Sequence, residues 1–172
     1  MGDSMKKKSV SLMIILAIIN IIVLVGCSNS TSITSKTEKE IKETIDLVLS
    51  YEKGYDETMK KHISEKNFYV CNYKEYYSLY IGDATIDEYE SKVVNTYKDG
   101  EKYKVYMLLN IKARGLEVHK NEDGSEEGSD EAIGEDIPLE IIVKEKDGEF
   151  YIEGLTEYEN LEKAKELNEG FK

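Results

Sequence analysis

LEIIVKEKDGEFYI, residues 139–152, reads as a strand, a tight turn and the start of a return strand. Leu139, Ile141 and Val143 alternate with Glu140, Ile142 and Lys144, the period of two that puts one set on a buried face. Asp147-Gly148 is a dipeptide of two-residue hairpins, because both residues accept the positive φ that the turn needs. Phe150 and Ile152 then resume the alternation, and Ile137 extends it upstream.

Working outward, the same grammar recurs before residue 115. Val93, Asn95 and Tyr97 alternate with Lys92, Val94 and Thr96. Asp99-Gly100 turns the chain. Tyr103, Val105, Met107, Leu109 and Ile111 share one face of the return strand, while Lys102, Lys104, Asn110 and Lys112 share the other with Tyr106 and Leu108. Two hairpins of this kind predict one antiparallel sheet of about four strands, buried on one face.

The cover comes from upstream. Thr37-Glu38-Lys39-Glu40 fits a capping box, and Ile41, Ile45, Val48 and Leu49 follow at helical spacing. Gly54 interrupts this helix. Tyr55, Met59, His62 and Ile63 suggest a second helical segment ending near Lys66. Helix and strand compete over the tyrosine-dense Phe68–Ile81, and Gly82-Asp83 breaks the chain. A final helix is expected over Asn160–Asn168, carrying Leu161, Ala164 and Leu167. The fold class is therefore α+β, with N-terminal helices packed on a curved antiparallel sheet.

This order of elements, with the strand, charged Asp-Gly turn, aromatic and strand of Leu139–Ile152, resembles the cone-shaped nuclear transport factor two-like superfamily. The likeness covers Thr37 to Glu159. The tryptophan usual after the turn is missing, and Phe150 or Tyr151 would take its place. Members include isomerases, dehydratases and binding or scaffold domains, so the resemblance implies a fold and leaves the chemistry open.

The first 36 residues speak of location. Lys6-Lys7-Lys8 precede Val10–Val25, which is apolar except for Ser11 and Asn20. Basic head and apolar run form the signal-peptide pattern, and the run is short for a membrane-spanning helix, which needs about 20 residues. Leu24-Val25-Gly26-Cys27 resembles the bacterial lipobox. The resemblance implies a diacylglycerol joined to the Cys27 thiol and cleavage after Gly26 by the lipoprotein signal peptidase, with Leu24, Val25 and Gly26 as its recognition residues. Two acyl chains hold stably to a membrane where one holds marginally. Residues 1–26 are then the signal peptide, with 1–4 a scar or an upstream start before Met5. Residues 27–36 are the lipidated cysteine and a polar tether whose nine residues after Cys27 reach about 30 Å when extended. Residues 37–172 are one extracytoplasmic domain. The whole is similar to lipoproteins of low-GC Gram-positive bacteria, which places it on the outer face of the cell membrane. No cofactor is expected besides the covalent lipid.

Charge narrows the partners. The chain has 23 basic and 35 acidic residues. The first 26 residues carry +2 (Lys6, Lys7 and Lys8 against Asp3), so the rest carries −14. Such a domain is repelled by phosphate backbones, and nucleic acid is set aside. The partner is expected to be an envelope protein or a small ligand.

Site chemistry is sparse. Residues 121–136, NEDGSEEGSDEAIGED, hold eight carboxylates. Asp123, Glu126, Glu127 and Asp130 are candidate calcium ligands, but the spacing misses the EF-hand pattern, and a solvated loop between strands is the plainer reading. His62 and His119 are the only histidines and lack zinc spacing. Cys71 has no electropositive setting and reads as a buried structural cysteine. The 13 tyrosines supply core bulk in a chain with no Trp and three Phe. Exposure of the cluster Tyr73, Tyr76, Tyr77 and Tyr80 would mark a partner surface instead. No phosphate loop or nucleophile elbow occurs. A non-catalytic binding or scaffold domain follows. The alternative is a small-molecule binder or enzyme with a pocket between helices and sheet.

Overall fold

The computed structural model describes residues 33–117, 119–120 and 126–172, with 119–120 and 126–128 described by backbone alone. The first helix, α1 (Ser35–Leu49), starts earlier than the capping box predicts: Thr34 is its N-cap, and its hydroxyl accepts from Thr37 N at 3.2 Å. A threonine three residues upstream offers the same acceptor, and starting there lets Ile33 pack against the core. Ile41, Ile45, Val48 and Leu49 are fully buried along one stripe of α1. Gly54, at φ 74°, lies in the turn that follows.

The second helical segment is not one helix ending near Lys66. Asp56 Oδ1 accepts from Thr58 N and Met59 N, which winds a single 3₁₀ turn, Met59–Lys61. A new helix, α2 (Glu65–Cys71), then starts on the Ser64 cap. In the tyrosine-dense stretch the helix reading holds, because Asn72 caps α3 (Tyr73–Ile81) directly behind α2. Gly82, at φ 75°, ends α3.

Four strands form one antiparallel sheet: β1 (Ala84–Asp99), β2 (Lys102–Gly115), β5 (Glu131–Lys146) and β6 (Glu149–Glu157), in the order β1-β2-β5-β6. Asp147 and Gly148 both have positive φ, as the tight hairpin demands. Between β2 and β5 the chain forms a small ribbon, β3 (His119–Lys120) with β4 (Glu126–Gly128). Residues 121–136 are therefore not one loop, since β4 and the first part of β5 lie within them. Basic residues opposite explain the early start of β5. Glu131 pairs across the sheet with Arg114, and its carboxylate meets Lys112 at 3.0 Å.

The strand over residues 93–97 does not keep one face. Val93 pairs with Met107, but Asn95 pairs with Tyr106, leaving Val94 as a bulge. One extra residue reverses the alternation. Val93 packs on the core while the Tyr97 ring lies 5.8 Å from Tyr106 on the reverse face.

The core lies between the helices and the sheet. Met59, Ile63 and Phe68 from the helical half meet Met107, Leu109, Leu139, Ile141 and Ile152 from the strands, all fully buried. Phe150 is the aromatic after the turn that faces this core, 5.8 Å from Tyr103, whereas Tyr151 lies outside beneath Lys146.

The reverse face is not bare, as a sheet buried on one side would be. Helix α4 (Leu161–Leu167), capped by Asn160, and the 3₁₀ turn Glu169–Phe171 fold back over Tyr106. Ala164 is buried there, but Leu167 is exposed and does not join the packed face. Glu140 gathers the latch by accepting from Tyr158 OH at 2.7 Å, Asn168 Nδ2 at 2.9 Å and Tyr106 OH at 3.3 Å. A Cβ on Gly170 would stand 2.4 Å from the Tyr106 ring. That ring is held by Glu140, Tyr97 and Phe171, so it has little room to yield. Gly170→Ala is expected to cost about 2 kcal/mol by overpacking. Urea unfolding checks this, and an unchanged midpoint would mean that the latch shifts freely.

Candidate functional site

The space between helices and sheet is where a cone-shaped fold would keep a ligand pocket, and here it is packed. Phe68, Met59, Ile45 and Leu49 from the helices pack there against Met107, Leu109 and Ile141, all fully buried in one cluster. Two polar side chains are buried among the described residues, His62 and Asn72. Both are used structurally. His62 Nδ1 lies 3.0 Å from Phe150 O, and His62 O accepts from Ile152 N at 2.7 Å. Asn72 bridges α1 and α3.

At the junction of α1 and β1, Lys42 Nζ lies 2.7 Å from Ser91 Oγ, a spacing that suits a nucleophile and its base. Asp46 removes that possibility. It accepts from Lys42 Nζ at 2.6 Å, from Ser91 Oγ at 2.5 Å and from Tyr89 OH at 3.0 Å. The lysine is spent on the carboxylate and the serine proton points at Asp46. This network clamps helix to strand. Burial and the Asp46 charge together hold the Tyr89 phenol well above its usual range.

The tyrosines of α3 divide by face. Tyr73 is buried and Tyr77 half-buried, whereas Tyr76 is 40% exposed and Tyr80 70% exposed. The Tyr76 and Tyr80 rings lie 5.4 Å apart, one turn from each other. Leu79 on α3 and Val70 on α2 are also exposed. Beside them a groove of about 290 Å³ opens between the helices and β6, lined by Val70, Cys71, Tyr73, Tyr76, Leu155 and Glu157. Tyr73 OH donates to Glu157 Oε2 at 2.8 Å across its floor. Burial, and then the Glu157 charge, keep this phenol neutral far into alkali. Burial alone pushes the Cys71 thiol up to about 11, so it is a poor nucleophile.

A larger depression, about 730 Å³, lies where β1, β2 and β5 run side by side; Glu88, Glu90, Asn110, Lys112, Glu135 and Asp136 are among its lining residues. It holds both charge signs. Among the described residues, no three His, Cys, Asp or Glu side chains converge as a metal site would require.

Leu24, Val25, Gly26 and Cys27 lie outside the described residues, as does Asp123. Glu126 and Glu127 are placed by backbone in β4, and His119 by backbone in β3. Asp130 sits just before β5, where its carbonyl accepts from Gly115 N at 2.8 Å. His62 serves the β6 edge, and Cys71 forms part of the groove wall. Sequence reading missed Val70, Leu155 and Glu157. No local pattern marks Val70 as exposed, and the other two needed the packing of α2 against β6. Compared with known proteins, the chain matches no family model and no curated protein.

Proposed function

We propose that this protein is a lipoprotein held on the outer face of the cell membrane of a Gram-positive-type bacterium by a diacylglycerol thioether on Cys27. Its domain binds or scaffolds another envelope component and performs no chemistry. The observation that carries the reading is the run from Lys6 through the apolar stretch to Leu24-Val25-Gly26-Cys27, followed at once by a polar tether. The packed interior weighs against a substrate or ligand pocket between helices and sheet, because Phe68, Met59 and Ile45 occupy that space. The helices before a four-stranded antiparallel sheet are compatible with a nuclear transport factor two-like cone whose pocket has closed.

The anchor is tested by expression in a Gram-positive host and intact-mass measurement. The native chain is expected to lose residues 1–26 and gain a diacylglycerol, and Cys27→Ala is expected to do neither. A lipid mass on the alanine variant, or an unmodified native chain, would sink the reading.

A further inference from the structure

The two edges of the sheet are finished differently. Along β1, bulges at Asp87 and Val94 interrupt the edge, and Glu88, Glu90 and Lys92 line it with charge, which discourages a neighbouring strand. The first half of β6 is covered. Ile63 bridges Ile152, His62 O accepts from Ile152 N, His62 Nδ1 meets Phe150 O, and Asn67 Nδ2 donates to Glu153 O at 2.9 Å. That cover stops at Glu153, which is the extra residue of a bulge against Val143 and Ile142. Beyond it, Gly154–Glu157 pairs with β5 on its inner side, and among the described residues no backbone hydrogen bond reaches its outer side.

The groove lies at this open half. Leu155 and Glu157 sit opposite Ile141 and Leu139 in the register, so their side chains share the helix-facing side of the sheet. A strand added outside Gly154–Glu157 would place every second side chain on that same side, between β6 and the Val70 and Tyr76 side chains. Main-chain pairing would supply affinity and the groove would supply selection. Tyr73 and Leu155 ask for an apolar side chain, and the Glu157 carboxylate asks for a cation. A second copy of this chain fits poorly, since each copy carries −14 beyond residue 26 and repels the other.

We propose that the open edge Gly154–Glu157, with the groove beside it, takes an extended segment of a partner protein as a fifth strand, one bearing apolar residues and a lysine or arginine on the groove side. The proposal rests on the binding role given above but not on the lipid at Cys27.

The test uses the full chain in phosphatidylcholine nanodiscs, which retain it through a lipid or an uncleaved apolar run alike. The probe is the synthetic peptide acetyl-Val-Thr-Leu-Thr-Lys-Thr-amide, whose valine, leucine and lysine share one face. Saturable binding is expected. Methylating one alternate set of its backbone amides should weaken binding by at least about tenfold, and methylating the other set should leave it unchanged, as strand pairing requires. Val70→Asp, at a site 68% exposed and so tolerant of the change, should also lose at least about tenfold. Glu157→Gln should erase the preference for lysine over glutamate in the probe. No saturable binding up to millimolar peptide, equal effects of both methylation sets, or full binding by Val70→Asp would each overturn the proposal. A concentration-dependent dimer abolished by Val70→Asp would give the edge to a second copy and overturn it as well. The mass of Cys27 is read separately, so failure of the edge and failure of the anchor remain distinct.

Discussion

Replacing Asn72 with alanine is expected to lower the unfolding free energy by about 3 kcal/mol, the sum of a lost helix cap and carbonyls left without donors. Asn72 is completely buried. Its Oδ1 accepts from Glu75 N at 3.0 Å and so caps α3, while its Nδ2 donates to Val48 O at 2.8 Å and to Tyr51 O at 2.9 Å. One side chain thus closes the end of α1 and opens α3. Alanine removes all three bonds and leaves the Val48 and Tyr51 carbonyls facing a methyl group. Asn72→Asp discriminates between the two contributions. It keeps the oxygen that caps α3 but turns a second oxygen toward those carbonyls, and it should be no more stable than the alanine variant. Urea denaturation of all three proteins reads the result. A loss below about 1 kcal/mol for alanine would mean that water replaces the amide, and the account of the junction would fail.

The hairpins were legible because their signals are local. Alternation in Leu139–Val143 and in Tyr103–Ile111, with Asp-Gly turns beside them, depends on nothing distant. The bulge at Val94 was not legible, since it turns Tyr97 toward Tyr106 on the reverse face, and the Phe171 ring that also packs on Tyr106 there comes from the far end of the chain. Leu167 failed for a related reason: helical spacing marks which residues share a stripe but not how wide a stripe the sheet covers. In the tyrosine stretch, propensity was divided between helix and strand, and a single buried asparagine decided it. The groove was least legible of all. Its walls come from residues some 80 positions apart, and its character depends on where the cover of β6 stops, which follows from the His62 and Asn67 contacts and not from any pattern within β6 itself.

Alkali should unfold this domain steeply. Cys71, Tyr73 and Tyr89 all have acidities weakened in the folded state, chiefly by burial. The sign follows from linkage. Each group keeps its proton longer in the folded protein than in the unfolded chain, so its stabilisation is fully present below the unfolded pKa and is lost as pH rises toward the folded one. For Cys71 that window runs from 9.0 to about 11. For the two tyrosines it opens near 10, the ordinary phenol value, and extends upward. Between pH 10 and 11 the unfolded tyrosines go from half to mostly ionised and the folded Cys71 begins to ionise, so each group contributes about 1 kcal/mol and stability should fall by roughly 3 kcal/mol over that step. Lysines whose ion pairs raise their pKa, such as Lys144 beside Glu153, act in the same direction but are solvent-exposed and add little. Tyr73→Phe isolates one contribution, because it removes the titrating hydroxyl while keeping the ring in place and leaving Glu157 open to water. Urea unfolding at pH 8, 10 and 11 should show the variant losing about 1 kcal/mol less than the native protein across the last step. An identical loss in both would mean that Tyr73 ionises in the folded state, and the closed contact between Tyr73 and Glu157 at the floor of the groove would then have to be abandoned.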